Sequence, residues 1–255
     1  MFYQKKSGHF RYSAFQEFEA IPGLIHAITN RGAGDGFSAR KGLESGNAIP
    51  NEQLLAALGV SKERLVLLDQ KHSDQVVTIN HEEVISLDSR QAQPGEGVIL
   101  TGPGCFAAVR SADCVLLLAL FPRRKMVCLI HAGWRGTCDR IAAKGIQRFL
   151  EVSGTRPEDL RVGVGPCIRK CCYQVGSDVR DRYWRAGHDV EKLMSGSHLD
   201  LVKANVSQLQ EMGAVEVEDS GLCTACRTDL FYSYRREGAT GRIWTIAGFV
   251  GEITE

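Results

Sequence analysis

The sequence lacks the features of exported, membrane-spanning and strongly charged proteins. No apolar run reaches the ~18 residues that a spanning helix needs, and residues 1–15 contain no apolar core of signal-peptide length. A formal net charge of +1 leaves no overall positive field that would attract nucleic acid. We therefore expect a cytoplasmic protein that binds neither a membrane nor nucleic acid.

The sequence also lacks internal repeats, low-complexity tracts and linkers that would divide it. Its 255 residues can bury a substantial core, so we predict one domain over residues 1–255, present as a monomer or a small homo-oligomer. Strand-like apolar runs and amphipathic segments mix without strict alternation. This pattern predicts an α/β (α+β) fold, a single layered domain with mixed β-sheets flanked by helices.

Two local predictions follow from the same patterns. The runs GVILT, CFAAVRS, DCVLLLALF and KMVCLIHAG are expected to form the buried centre of a sheet, and residues 137–150 one amphipathic helix. The glycine-rich residues 29–50 are expected to form a long, partly mobile and functional loop.

Nine cysteines, an odd number in a chain without an export signal, are interpreted mainly as thiols. Cys167, Cys171 and Cys172 lie in one segment, but they lack the paired CxxC spacing of structural zinc sites. Cys223 and Cys226 do form a CxxC, yet no histidine follows them at short range. The spacing therefore argues against a structural zinc site built from these two groups.

Three segments place metal-binding or nucleophilic residue types at predicted strand ends: DQKHSDQV, SADC and IHAGWRGT. His72, Cys114 and His131 are a plausible three-ligand zinc set, and three protein ligands leave the fourth position open, as in catalytic zinc sites. The same residues permit a metal-free site, in which Cys114 is a nucleophile activated by a histidine and Asp113 orients that base. The spacing leaves both possibilities open.

The turn after His131 has a possible second use. Gly133 and Gly136 let backbone N–H groups approach a ligand at a helix start, and Arg135 adds a cation, a combination that suits phosphate. The alternative is that the glycines only permit the turn and that Arg135 is a surface charge. The segment FYSYRREGATGR either lines a cleft for a flat or anionic ligand or forms an edge strand followed by a turn.

Taken in order, the segments QKHSDQV, SADCVLLLAL, HAGWRGT, GPCIRKCCYQVGSDV, LDLVKANVSQLQEMG and FYSYRREGATGR resemble the laccase-domain family, also called YfiH/YlmD-like or polyphenol oxidase domain proteins. The resemblance implies a layered α/β domain with a zinc site, whose ligands and catalytic residues fall on His72, Cys114 and His131. It also implies phosphorolysis of purine nucleosides, including methylthioadenosine, and deamination of adenosine. The substrates would be purine nucleosides and phosphate, with Arg135 and Asp113 as substrate-binding residues.

The family name suggests copper, but paired H-x-H histidines of a multicopper cluster are absent from the seven histidines of this sequence. Zinc is therefore expected rather than copper. A Cys-His hydrolase or amidase acting on cell-wall precursors and a copper-linked polyphenol oxidase are the alternatives. The sequence departs from the family where an Asn-Arg pair is expected and Asn51-Glu52 occurs. Phosphorolysis then requires that Arg31, Arg40 or Lys41 replace the missing arginine.

Overall fold

Thirteen of the fifteen strands in the described residues form two mixed sheets that share a buried apolar layer, and the other two form a separate antiparallel pair. A computed structural model describes residues 1–8, 10–31, 50–86, 92–213 and 216–251. In chain order its strands are β1 (Phe2–Ser7), β2 (Phe10–Phe15), β3 (Leu24–Thr29), β4 (Leu65–Asp69), β5 (Val76–Ile79), β6 (Gln93–Pro94), β7 (Gly97–Leu100), β8 (Cys105–Ser111), β9 (Val115–Phe121), β10 (Met126–Ala132), β11 (Arg161–Val164), β12 (Met194–Ser195), β13 (His198–Leu199), β14 (Glu216–Asp219) and β15 (Ile243–Phe249).

The helices lie mainly outside the sheets. They are α1 (Glu52–Ala57), α2 (His81–Ser86), α3 (Trp134–Cys138), α4 (Ile141–Ser153), α5 (Ser177–Arg185), α6 (Val190–Leu193), α7 (Leu201–Glu211) and α8 (Tyr234–Glu237). Within the described ranges, none of them has the length and apolar character needed to span a membrane. Most of the predicted loop at residues 29–50 lies outside the described residues.

Sheet order confirms the predicted fold class. A seven-stranded sheet runs β1-β2-β3-β15-β8-β4-β6 and a six-stranded sheet runs β14-β11-β9-β10-β7-β5. Each combines antiparallel pairs with parallel ones, such as β4 with β8 and β5 with β7. The extent of the domain over residues 1–255 stays a prediction.

The expectation that four apolar runs share one sheet is wrong. Strand β8 pairs with β15 and β4 in the seven-stranded sheet, whereas β7, β9 and β10 belong to the six-stranded sheet. The short connection from Ser111 to Cys114 carries the chain from one sheet to the other. An apolar run indicates that a strand is buried but does not indicate which strand it pairs with. The sequence pattern therefore could not assign the four runs to two different sheets.

Strand β9 shows why these runs are apolar at every position. Leu116, Leu118 and Leu120 face the layer between the two sheets, which also contains Val66 of β4 and Ala107 of β8. The alternate residues of β9 face the helical layer formed by α4, α5 and α7. Because both faces of the strand are covered, polar and apolar positions do not alternate along it.

The predicted helix over residues 137–150 is two helices. Helix α3 ends at Cys138 and α4 begins at Ile141, because Arg140 adopts a left-handed conformation with φ 64°. The carbonyl of Thr137, which would accept from residue 141 in a continuous helix, instead accepts from the N–H of Arg140 at 3.1 Å and from Nε2 of Gln208 in α7 at 2.8 Å. A turn hydrogen bond and a tertiary contact with α7 therefore replace the helical hydrogen bond. Ile146 still faces the core as predicted.

A buried histidine in β3 makes the stability of the fold depend on pH. His26 is 7% exposed, and its Nε2 accepts a hydrogen bond from the backbone N–H of Phe15 at 3.0 Å. Burial lowers the pKa of His26 to about 4 from an ordinary 6.5. The unfolded chain therefore binds a proton between pH 6.5 and 4 that the folded chain does not bind, so the free energy of unfolding falls as the pH falls through this window.

We expect this histidine to contribute about 3 kcal/mol of stability at neutral pH that is lost near pH 4. The variant His26→Gln keeps an acceptor for the Phe15 N–H but does not titrate. The free energy of unfolding of both proteins is measured with urea at several pH values. Between pH 6.5 and 4 the slope for the variant should be smaller than the slope for the parent protein, and the difference should be about 1.4 kcal/mol per pH unit. Equal slopes in the two proteins would contradict the assignment.

Candidate metal centre and active site

The structure brings His72, Cys114 and His131 together from three separate segments. The ligand atoms of the three side chains all lie within 4.8 Å of one another, and Cys114 Sγ is 4.0 Å from His72 Nε2. His131 is buried, Cys114 is partly buried and His72 is exposed. The cluster thus has one closed side against the sheet and one side open to solvent.

Backbone geometry makes room for this approach. A Cβ atom at Gly133 would lie 2.9 Å from His72 Cδ2 and 3.2 Å from Cys114 Sγ, so a larger residue would push these side chains away. His72 itself adopts a left-handed backbone conformation with φ 61°, which is uncommon outside glycine and turns. Gly133, the residue after strand β10, therefore leaves room for the His72 and Cys114 side chains and also permits the turn into α3.

A glutamate that the sequence interpretation missed holds the two histidine segments. Glu96, which is 1% exposed, accepts a hydrogen bond from Nδ1 of His131 at 2.6 Å through Oε2. Its Oε1 accepts from the backbone N–H of Ser73 at 3.2 Å, and its backbone carbonyl accepts from the N–H of His131 at 2.7 Å. The bond at Nδ1 leaves Nε2 of His131 for the cluster. The signal in the sequence was an acidic residue between two glycines just before an apolar strand.

Asp113 does not orient a histidine, contrary to the metal-free interpretation. Its carboxylate accepts hydrogen bonds from Oγ1 of Thr224 at 2.6 Å and from the backbone N–H of Arg235 at 2.7 Å. Asp113 also has a positive φ of 101°. It lines the pocket beside Cys114 and joins the β8–β9 connection to the segment that contains Thr224 and Arg235. The carboxylate that contacts a histidine of the cluster is Glu96.

Electrostatics within the cluster favour a thiolate. Burial raises the pKa of the Cys114 thiol, but the charge of His131 and hydrogen bonds with both histidines outweigh it and lower the pKa to about 6. Burial lowers the pKa of His131, whereas the Cys114 thiolate and the Glu96 carboxylate raise it to about 9. A thiolate is the form of cysteine that binds a metal or acts as a nucleophile.

The cluster opens into a pocket of about 390 Å³, within the usual range for small-molecule sites. Its walls combine the cluster with aromatic and cationic side chains. The lining residues are Gln70, His72, Arg110, Ser111, Ala112, Asp113, Cys114, His131, Trp134, Arg135, Tyr173, Tyr234, Arg235 and Arg242. The segment FYSYRREGATGR supplies Tyr234, Arg235 and Arg242, so it lines a cleft and does not form an edge strand.

Four arginines make this pocket strongly cationic. Burial and the charge of Arg242 lower the pKa of Arg110, as expected where positive groups crowd together. The Arg135 guanidinium lies 4.5 Å from the ring centroid of Trp134. Nη1 of Arg235 donates to the carbonyl of Gln174 at 2.7 Å. The predicted helix N-terminus at Gly133 belongs to α3, which has only five residues, so the arginines are the stronger feature for binding an anion.

Arg31, Arg40 and Lys41 were the candidates to replace the arginine that the family pattern has after Asn51. None of them is among the described residues that line this pocket. Arg31 forms an ion pair with Glu237 and lies 4.4 Å over the ring of Tyr232. Arg40 and Lys41 lie outside the described residues. Asn51 caps helix α1, where its side chain accepts from the N–H of Gln53 at 2.9 Å. The cationic wall of the pocket is formed instead by arginines that follow Gln70 in the chain.

Comparison with known proteins identifies the family of this chain. A family described as multi-copper polyphenol oxidoreductase laccase matches residues 45–250. A purine nucleoside phosphorylase of Deinococcus radiodurans is 33% identical over 240 residues, which cover 90% of this chain and 89% of that relative. Adenosine deaminase RL5, from an unknown prokaryotic organism, is 27% identical over 248 residues, covering 89% and 94%. The crystal structure of YlmD from Geobacillus stearothermophilus matches with a TM-score of 0.77 at 27% identity, covering 91% of this chain and 93% of that one. The resemblance of the motifs is thereby confirmed, and the chain belongs to the multi-copper polyphenol oxidoreductase laccase family.

Proposed function

We propose that the protein is a zinc-dependent purine nucleoside phosphorylase that also deaminates adenosine and cleaves methylthioadenosine. The observation that carries the proposal is one pocket that combines the His72, Cys114 and His131 cluster with four arginines. The first element suits a metal and the second suits an anion such as phosphate. The names of the relatives, a purine nucleoside phosphorylase and an adenosine deaminase, support the same substrate class.

Zinc fits the donor set of the cluster. Two imidazoles and one thiolate are ligands that Zn²⁺ prefers, and the carboxylate of Glu96 on His131 is the outer partner that metal-binding histidines usually have. A zinc ion held by these three residues would supply Lewis-acid chemistry at a coordination position left open by the protein. A copper site of the blue type would also use two histidines and one cysteine, with a weak axial methionine, glutamine or backbone oxygen. The side-chain amide of Gln70 in the pocket lining is already paired with the backbone of Arg110, since its Nε2 donates to the carbonyl and its Oε1 accepts from the N–H, each at 2.9 Å. Among the described residues that line the pocket there is no methionine.

The other residues of the pocket have roles that suit both reactions. In phosphorolysis, an oxygen of phosphate forms a bond to the anomeric carbon of the ribose while the bond from that carbon to the purine nitrogen breaks. The arginines would bind phosphate and hold it in position for this attack. The rings of Tyr173 and Tyr234, which line the pocket, would stack against a purine. In deamination, water adds to the purine carbon that bears the amino group, and ammonia leaves.

Replacing His72 tests the metal-dependent proposal. We expect His72→Ala to remove the bound zinc and to lower kcat/KM for adenosine and inosine at least about 100-fold, or about 2.7 kcal/mol. Products would be separated by chromatography after incubation with and without phosphate. The control is His81→Ala, a half-buried histidine that does not line the pocket. Absence of inosine, adenine and hypoxanthine with the zinc-loaded parent protein would refute the proposal.

The lowered pKa of Cys114 favours one second candidate, a Cys-His hydrolase or amidase acting on cell-wall precursors with Cys114 as nucleophile. This enzyme would need no metal. Exhaustive chelation distinguishes the two functions, since it would abolish turnover of nucleosides by a zinc enzyme. Hydrolysis of a peptide-linked precursor that survives chelation and is lost in Cys114→Ser would favour the hydrolase.

Arg135 separates the two proposed activities, because phosphorolysis needs an anion and deamination does not. We expect Arg135→Ala to raise the KM for phosphate about 10- to 150-fold. This range corresponds to the loss of one charge-assisted hydrogen bond, which contributes about 1.5–3 kcal/mol. The rate of adenosine deamination in phosphate-free buffer should change less than about threefold. Arg123→Ala is the matched control, since Arg123 is exposed and does not line the pocket. Equal losses in both activities would show that Arg135 does not act through phosphate.

Glu96 is proposed as a positioning residue that orients His131. We expect Glu96→Gln to keep the protein folded, since an amide can still accept from the Ser73 N–H, but to weaken zinc binding about 10- to 100-fold. The measurement is competition for zinc with a chelating dye, together with kcat and KM at saturating zinc. Unchanged zinc affinity in Glu96→Gln would contradict the role of this carboxylate.

A further inference from the structure

A second group of potential metal ligands is separate from the cluster of His72, Cys114 and His131. Cys171 and Cys172 follow strand β11, and Cys223 and Cys226 follow strand β14. Their Sγ atoms all lie within 4.8 Å of one another, although the sequence spacing argued against such a site. All four are free cysteines. A parallel pairing of β11 with β14, together with a bridge between Cys167 and Cys223, brings the two segments side by side.

The separations of the sulfur atoms suit tetrahedral coordination. Cys226 Sγ lies 3.7 Å from Cys171 Sγ and 3.4 Å from Cys172 Sγ. A tetrahedron with Zn–S bonds of about 2.3 Å has S–S edges of about 3.8 Å. The cluster therefore needs only small adjustments of side chains to surround one zinc ion.

Backbone hydrogen bonds prepare one of these sulfurs as a ligand. Backbone N–H groups of Arg169, Ala225 and Cys226 lie within hydrogen-bonding reach of the Cys223 sulfur. Donors of this kind stabilise a thiolate and orient it, as outer partners of a metal ligand do. They come from both segments, so the same contacts that join the segments also favour a bound cation.

We propose that Cys171, Cys172, Cys223 and Cys226 bind one Zn²⁺ as a closed structural site. Four cysteine ligands fill a tetrahedral shell and leave no position for substrate, which distinguishes this site from the cluster around His72. As the ion binds, the thiols release their protons to solvent. The inference does not depend on the proposed nucleoside chemistry.

The four-cysteine site lies directly behind a wall of the pocket. Nη1 of Arg235 donates to the carbonyls of Cys172 and Gln174 at 3.4 and 2.7 Å, and Tyr173 follows Cys172 in the chain. On the other segment, Nη1 of Arg236 donates to the carbonyl of Thr224 at 2.8 Å. Zinc at this position would therefore fix the segment that carries Tyr173, together with the backbone carbonyls that accept hydrogen bonds from Arg235 and Arg236 of α8.

Counting zinc in variants tests the site. The parent protein and the double variant Cys171→Ser/Cys226→Ser are both purified in reducing buffer without added metal. We expect the variant to contain one zinc per chain fewer than the parent, as measured by elemental analysis. Both replaced residues are exposed, so the core remains intact. The control is Cys128→Ala, which removes a buried thiol of strand β10 and should leave the zinc content unchanged.

X-ray absorption spectroscopy provides an independent reading. In Cys114→Ser, the zinc that remains should be surrounded by four sulfurs at about 2.3 Å. Equal zinc content in the parent and Cys171→Ser/Cys226→Ser would overturn the proposal, as would nitrogen or oxygen ligands around the remaining zinc. A disulfide within the group, found by thiol counting in the parent, would also overturn it. None of these results depends on whether the protein turns over nucleosides.

Discussion

The buried carboxylate of Glu96 is the contact on which the geometry of the candidate site depends. It lies just before strand β7, and its two oxygens hold the end of β10 through His131 and the segment after β4 through Ser73. A carboxylate so deeply buried is stable only when its oxygens are hydrogen-bonded or paired with positive charge. The two histidine segments therefore provide hydrogen bonds to both carboxylate oxygens of Glu96, and Glu96 in turn fixes the separation between the histidines. Removing either partner would leave a buried oxygen of Glu96 without a hydrogen bond.

Close approach and backbone strain then complete the arrangement. Gly133 lets Cys114 and His72 meet across the end of β10, while His72 and Asp113 adopt conformations that L-residues seldom adopt. Such conformations cost of order 1–3 kcal/mol each and persist where surrounding contacts determine them. For Asp113 these contacts are the hydrogen bonds from Thr224 and Arg235. The cluster and the cationic wall are thus held by one network rather than by independent loops.

Much of the fold class and the central trio could be predicted from the sequence. Apolar runs revealed buried strands, and polar residues at their ends indicated where side chains converge. The division of the runs between two sheets and the break at Arg140 could not be predicted, because each depends on contacts between distant segments such as that of Gln208 with Thr137. Glu96 was missed because its local signal, an acidic residue between two glycines, does not indicate a contact with a distant histidine. The four-cysteine group was set aside because its ligands come from two strands paired in space and not from one motif.

The pocket draws its residues from positions 70 to 242 of the chain. No single segment contains enough of them to bind a ligand, so the site has a high contact order and forms only when both sheets are assembled. A partly folded chain that has lost either sheet has lost the pocket as well. A ligand can therefore occupy the pocket only in the native state. A tightly bound ligand stabilises the entire fold and not one of the two sheets alone.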